Sequence, residues 1–158
     1  ETESLEAAGD YNMLEQVFLN LINNAIDAMK ESTEKRLTIR ASGKIISEIG
    51  YKTGYRYTDF FRIGEKKIVV EISDTGKGMS KDVQSKIFEP FFTTKSVNEG
   101  TGLGLSIVHM IIERLSGTID VTSEENKGTT FYVNIQPQIK KVVAEEGQYD
   151  KSDQSSGY

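Results

Sequence analysis

The run Lys67 to Ser73 alternates apolar and polar residues, with Ile68, Val70 and Ile72 on one face, and stops abruptly at Asp74-Thr75-Gly76-Lys77-Gly78. A period of two demands a strand with one buried face, so the fold must lay this segment on a core and then turn the chain sharply. Glycines on both sides of Lys77 permit that turn, and they let a flat ligand come closer than a Cβ would allow. Two readings stand side by side. The motif is either an ordinary strand-ending turn, or a carboxylate placed to accept hydrogen bonds from an exocyclic amine.

Upstream, Leu14, Val17, Phe18, Leu21, Ile22, Ala25, Ile26 and Met29 recur at helical spacing behind Asp10, a natural N-cap, so a core helix is expected from Tyr11 to about Lys30. Its other side gathers Gln16, Asn20, Asn23, Asn24 and Asp27. A solvated helix face normally carries Lys, Glu and Arg, whereas asparagine disfavours helix, so this stripe is either a wet face or one turned to a ligand. Leu37 to Ser42 alternates as a second strand. The stretch 43–65 between the strands holds Tyr51, Tyr55, Tyr57, Phe60 and Phe61 among glycines, which suggests an extended hairpin whose aromatics either pack locally or face a partner.

Downstream, Ser80 caps a short helix, Lys81 to Phe88, which ends ahead of Pro90. The cluster Phe88-Glu89-Pro90-Phe91-Phe92 leads into Thr93 to Gly100, a polar segment read as a mobile lid. Gly100-Thr101-Gly102-Leu103-Gly104-Leu105 then opens a helix running from Leu103 to Leu115. Glycines ahead of a helix make a seat for anions, because free N–H groups and the positive end of the helix dipole converge there. Strands at Thr118 to Ser123 and Thr129 to Gln136 read as a closing hairpin, and residues 138–158 as a flexible polar tail.

Composition narrows the chemistry. With 158 residues, 37% hydrophobic, the chain suffices for a single core, here expected over residues 1–137. The absence of cysteine removes disulfides, thiolate metal sites and thiol nucleophiles, and the single histidine, His109, leaves His-rich metal sites and His-dependent triads unsupported. A net charge of −5 gives no electrostatic ground for nucleic-acid binding. No apolar run approaches the roughly 20 residues of a membrane span. The acidic, abrupt start at Glu1-Thr2-Glu3-Ser4 suggests a piece of a longer protein.

The order of these motifs resembles the catalytic, ATP-binding domain of bacterial sensor histidine kinases, which shares its nucleotide fold with DNA gyrase B, Hsp90 and MutL. By this resemblance Asn20 to Asp27 is the N box, Asp74 to Gly78 the first glycine box, Phe88 to Phe92 the F box, residues 93–101 the ATP lid, Gly100 to Gly104 the second glycine box, and Gly128-Thr129-Thr130 the last short box. The resemblance implies an α/β sandwich (the Bergerat ATP-binding fold), a mixed sheet covered on one face by three helices. It implies ATP and Mg²⁺ as ligands. Asp74 would accept the adenine amine, with Gly76, Gly78 and Thr130 completing the base pocket and Ile87 or Leu103 stacking on the ring. Asn24 would hold Mg²⁺, and Asn20 would stand beside it. Gly100, Gly102, Leu103, Gly104 and Leu105 would cradle phosphates, and Lys95 and Thr101 would reach the terminal phosphoryl group.

The implied activity is transfer of the γ-phosphoryl group to a histidine on a separate dimerisation domain of the same kinase, and from there to a response-regulator receiver domain. The implied location is the cytoplasm, with no direct membrane contact from this domain and no nucleic acid partner. Alternatives are an ATPase of the gyrase, Hsp90 and MutL kind, or a non-catalytic nucleotide-binding module. Those ATPases carry a water-activating glutamate four residues before the metal asparagine, and Asn20 stands there instead. Three further departures stand out. Asp27 and Ala28 occupy positions where many members have a basic and an aromatic residue, His109 is no phosphoacceptor, and the strand usually preceding the N box is missing or blurred in Glu1 to Gly9.

Overall fold

The computed structural model describes residues 5–47, 61–96 and 100–138. In chain order its elements are α1 (Tyr11–Ala28), β1 (Leu37–Ile45), β2 (Lys66–Asp74), α2 (Lys81–Lys86), α3 (Gly104–Arg114), β3 (Thr118–Glu124) and β4 (Gly128–Ile135). The strands form one sheet in the order β1-β2-β4-β3. All three pairings are antiparallel, where a mixed sheet was expected. The connections account for two of them. β3 returns directly into β4 through a tight turn, and β1 and β2 are the arms of a long hairpin, which can only be antiparallel.

Strand alternation sets the layers. Ile68, Val70 and Ile72 of β2, Phe131, Val133 and Ile135 of β4, and Ile119 of β3 share one face and one buried cluster with Val17 and Leu21 of α1 and Val108, Ile111 and Ile112 of α3. The α2 region adds Val83, Ile87 and Phe88, so all three helices cover the same face. Fully burying side chains such as Leu21 and Val108 is worth about 1.5–3 kcal/mol each, which is what holds a helix to the sheet. Ile26, expected among the core residues of α1, is half exposed.

At the far end of the hairpin, Ile46 N–H donates to the Glu65 carbonyl and Gly64 N–H to that of Ile46, both at 2.9 Å. Beside this closure Ile46 and Phe61 are buried. Most of the expected aromatic insertion, residues 48–60, and the tail from 139 onward lie outside the described residues. The blurred first strand leaves a trace: Ala7 bridges Pro137 in antiparallel fashion, and Ala8 N–H donates to the Gln136 carbonyl at 3.0 Å. Among the described residues no helix is long and apolar enough to cross a membrane.

Candidate nucleotide-binding cleft

The inward face of the sheet changes character where the core ends. Asp74 follows Ile72 in step along β2, Thr129 stands in step with Phe131 on β4, and the two are register partners. The Asp74 side is therefore buried, with 6% of the residue exposed, at the floor of a cleft of about 1180 Å³ between sheet and helices. Gly76 N–H donates to Asp74 Oδ1 at 2.8 Å. Burial pushes the carboxyl above its ordinary value, and the backbone N–H groups of Gly76 and Thr129 partly oppose that. Two donated hydrogen bonds leave acceptor capacity on a carboxylate, so Asp74 suits a ligand that brings an N–H.

The turn beyond it is clamped. A Cβ at position 76 would lie 2.7 Å from backbone and side-chain atoms of Ala28, and Lys77 N–H donates to the Ala28 carbonyl at 3.0 Å. Gly78 has φ +64°, and a Cβ there would fall 2.0 Å from the Glu124 carbonyl oxygen. These glycines are thus required by the end of α1 and the β3–β4 turn, whatever the cleft holds.

Across the cleft, α1 presents Asn20 and Asn24. Asn20 Nδ2 donates back to the Gln16 carbonyl at 3.0 Å, which turns Oδ1 toward the first residue of α3. A Cβ at position 104 would lie only 3.3 Å from that oxygen. The start of α3 differs from those of the other helices. Asp10 accepts from Asn12 and Met13 N–H at α1, and Ser80 from Val83 N–H at α2, whereas no side chain caps α3. Its first-turn N–H groups, beside Gly102 and Thr101, form a seat of the kind that anions occupy. Gly102 has φ +67°, and a Cβ there would lie 2.4 Å from the carbonyl carbon of Phe91, whose N–H donates to the Gly102 carbonyl at 2.9 Å.

Of the residues expected at the site, Asn20, Asn24, Asp74, Gly76, Gly78, Ile87, Lys95, Gly100, Thr101, Gly102, Gly104 and Leu105 all line this one cleft. Two do not. Thr130 lies on the outer face, where its hydroxyl meets Ser73 Oγ at 2.8 Å; strand parity puts Thr129 in the cleft instead. Leu103 is absent from the wall, and its carbonyl accepts from Ile107 N–H and Ser106 Oγ. Phe131, Met79 and Phe92, the last known from sequence only as part of the F box, also line the cleft with Ile87. Counting parity back from Ile135, Val133 and Phe131 identifies both Phe131 and Thr129.

Among the described residues no three of His, Cys, Asp and Glu cluster as a metal cage. The amide oxygen of Asn24, on the cleft wall beside Asn20, fits an ion such as Mg²⁺, which keeps several waters and takes other ligands from phosphates.

Residues 9–139 match the model of the family described as histidine kinase-, DNA gyrase B-, and HSP90-like ATPase. The chain belongs to this ATPase family. It is 40% identical over 158 residues to sensor kinase CckA of Brucella abortus (strain 2308), covering 94% of this chain and 16% of that protein. It is 40% identical over 126 residues to sensor histidine kinase ZraS of Escherichia coli (strain K12), covering 80% of this chain and 22% of that protein. The chain therefore spans less than a quarter of the length of either. Among solved structures, the catalytic domain of histidine kinase ThkA superposes with a TM-score of 0.58 at 32% identity, covering 86% of this chain and 74% of that one. Full-length ShkA in complex with AMPPNP shares the fold, with a TM-score of 0.62 at 24% identity over 86% of this chain and 24% of that one. Within this ATPase family the chain corresponds to the ATP-binding, catalytic part of sensor histidine kinases.

Proposed function

We propose that the cleft binds Mg²⁺–ATP and presents the γ-phosphoryl group to a histidine on a dimerising helical domain of the same parent kinase, from which a response-regulator receiver domain takes it. The observation that carries this reading is the pairing within one cleft of a buried carboxylate at the end of β2 with an uncapped helix start at α3. A ligand with an amine-bearing base and a polyphosphate fits both. Asp74 accepts from the adenine amine, Thr129 takes the place beside it expected of Thr130, and Ile87, Met79 and Phe131 supply apolar contact to the ring. The N–H groups around Gly102, Gly104 and Leu105 hold phosphate oxygens, with Gly100 and Thr101 at the edge.

Asn24 is the first candidate ligand for Mg²⁺, which would neutralise phosphate charge during transfer. Lys95 approaches the terminal phosphoryl group and stabilises the charge that develops on it. Asn20 is an amide whose nitrogen is bonded to its own helix. It cannot take a proton from water, which favours transfer to a protein acceptor over hydrolysis. The domain works on this reading in the cytoplasm.

The test is thermal unfolding with and without saturating Mg²⁺–ATP, beside Asp74→Asn. Ligand at about a hundred times Kd adds roughly 2.7 kcal/mol. A midpoint rise present in the wild type and lost in the variant supports the site, and added acceptor domain should then become phosphorylated. An unmoved midpoint in the wild type would overturn nucleotide binding, and binding without any transfer would reduce the domain to a nucleotide-sensing module.

A further inference from the structure

One acid in the cleft has no part in the scheme above. Asp27 sits in the last turn of α1, where a negative charge opposes the helix dipole and no basic residue offsets it from within the helix. Helix stability does not explain it; its partners do. Lys95 Nζ, reaching across from a segment 68 residues away in sequence, lies 2.5 Å from Asp27 Oδ2. Lys30 Nζ lies 2.9 Å from Oδ1. Asp27 and Lys95 both line the cleft, each with about a third of its side chain exposed (31% and 32%).

The stem of Lys95 is seated as well. Its N–H donates to Thr93 Oγ1 at 3.1 Å, and a Cβ at position 100 would lie 3.1 Å from Lys95 Cδ, so Gly100 leaves room for the side chain to lie flat. Lys95 and then Lys30 hold the Asp27 carboxyl below its ordinary range, in keeping with an ionised partner.

We propose that Asp27 is the counter-ion that parks Lys95 inside the cleft until the terminal phosphate of ATP takes its place, which makes Asp27 a positioning residue that competes with ATP, and not with ADP, for this lysine. The inference rests on the nucleotide reading above. A terminal phosphate carries more charge than a carboxylate and offers more acceptor oxygens, so it competes for the ammonium group. ADP ends one phosphoryl group short and leaves the pair in place. Lys30 stays on Asp27 when Lys95 departs, so the exchange strands no charge.

The experiment measures Kd for Mg²⁺–ATP and Mg²⁺–ADP by calorimetry on the wild type, Asp27→Asn, Lys95→Met and the double variant, with melting midpoints confirming that each is folded. Removing the parked state frees Lys95 for phosphate. Asp27→Asn should therefore raise the ATP-over-ADP preference by about two- to fivefold, the scale of a partly exposed ion pair. In the Lys95→Met background the same substitution should leave that preference unchanged.

If the preference stays constant in Asp27→Asn while ATP still binds, the inference fails and nucleotide binding survives. A rise that is as large without Lys95 would mean that Asp27 only repels phosphate, which also overturns it. Absence of binding to either nucleotide in the wild type would remove the nucleotide reading itself, and this inference with it.

Discussion

Asp74 and Asp27 line the same cleft, yet burial pushes the carboxyl of the first above its ordinary range, while Lys95 and Lys30 hold that of the second below it. The difference follows from where each stands. Asp74 is the last inward residue of a central strand, fixed by backbone N–H groups that cannot leave. Asp27 stands at a helix end and is held by lysine side chains, which can exchange partners. A group that must recognise one shape gains from the first arrangement, and a group that must respond to an arriving charge gains from the second.

The sharpest way to break this comparison is Asp74→Asn. Loss of a charge-assisted hydrogen bond costs about 1.5–3 kcal/mol, or roughly one to two orders of magnitude in affinity for adenine nucleotides, with the apo fold retained. Calorimetry showing less than a fewfold loss would move the base elsewhere.

Gly102→Ala comes next. It asks a residue with a Cβ to hold φ +67° against the Phe91 backbone, and should cost about 1–3 kcal/mol in urea unfolding and weaken ATP binding besides. Unchanged stability would show that the loop relaxes freely.

A paired test addresses the outward and inward faces of β4. Thr130→Val should cost about 1 kcal/mol through its bond to Ser73 and spare nucleotide affinity, whereas Thr129→Val should weaken it. The reverse outcome would return Thr130 to the base pocket.

Smallest of all is the effect of pH on the apo fold, and its sign differs between the two acids. The raised carboxyl of Asp74 penalises folding at neutral pH, and the penalty is relieved as pH falls through its folded pKa toward the unfolded value of 3.8. The wild type should therefore gain on Asp74→Asn upon mild acidification. Asp27 contributes stability that is present above 3.8 and lost as pH falls through its lowered folded value. Against Asp27→Asn the wild type should hold its advantage down to about pH 4 and lose it below, as urea midpoints across pH would record.

Much of this architecture is legible in the chain. Period-2 runs gave all four strands and helical spacing gave α1 and α3 within a few residues, because burial of one face enforces both patterns. The cleft's glycines and Asp74 stood out for the same reason, as interruptions of those patterns. Thr130 is what the resemblance implies, and only parity counted from Phe131 turns Thr129 inward in its place. Leu103 belonged to a glycine-rich run, and only helix geometry turns it off the wall. The two hairpin readings already require antiparallel pairs, as the structure has them, whereas the mixed sheet is implied by the resemblance alone. The Asp27–Lys95 pair joins two segments that nothing local relates, so only tertiary structure discloses it.

The bond from Phe91 N–H to the Gly102 carbonyl has one last consequence. It pins the phenylalanine cluster to the residue two places before α3. The entropy of closing a chain between two pinned ends grows only logarithmically, about 0.6 kcal/mol for each doubling of its length. The first turn of α3 therefore keeps its place at nearly the same entropic cost whatever number of residues separates those two ends.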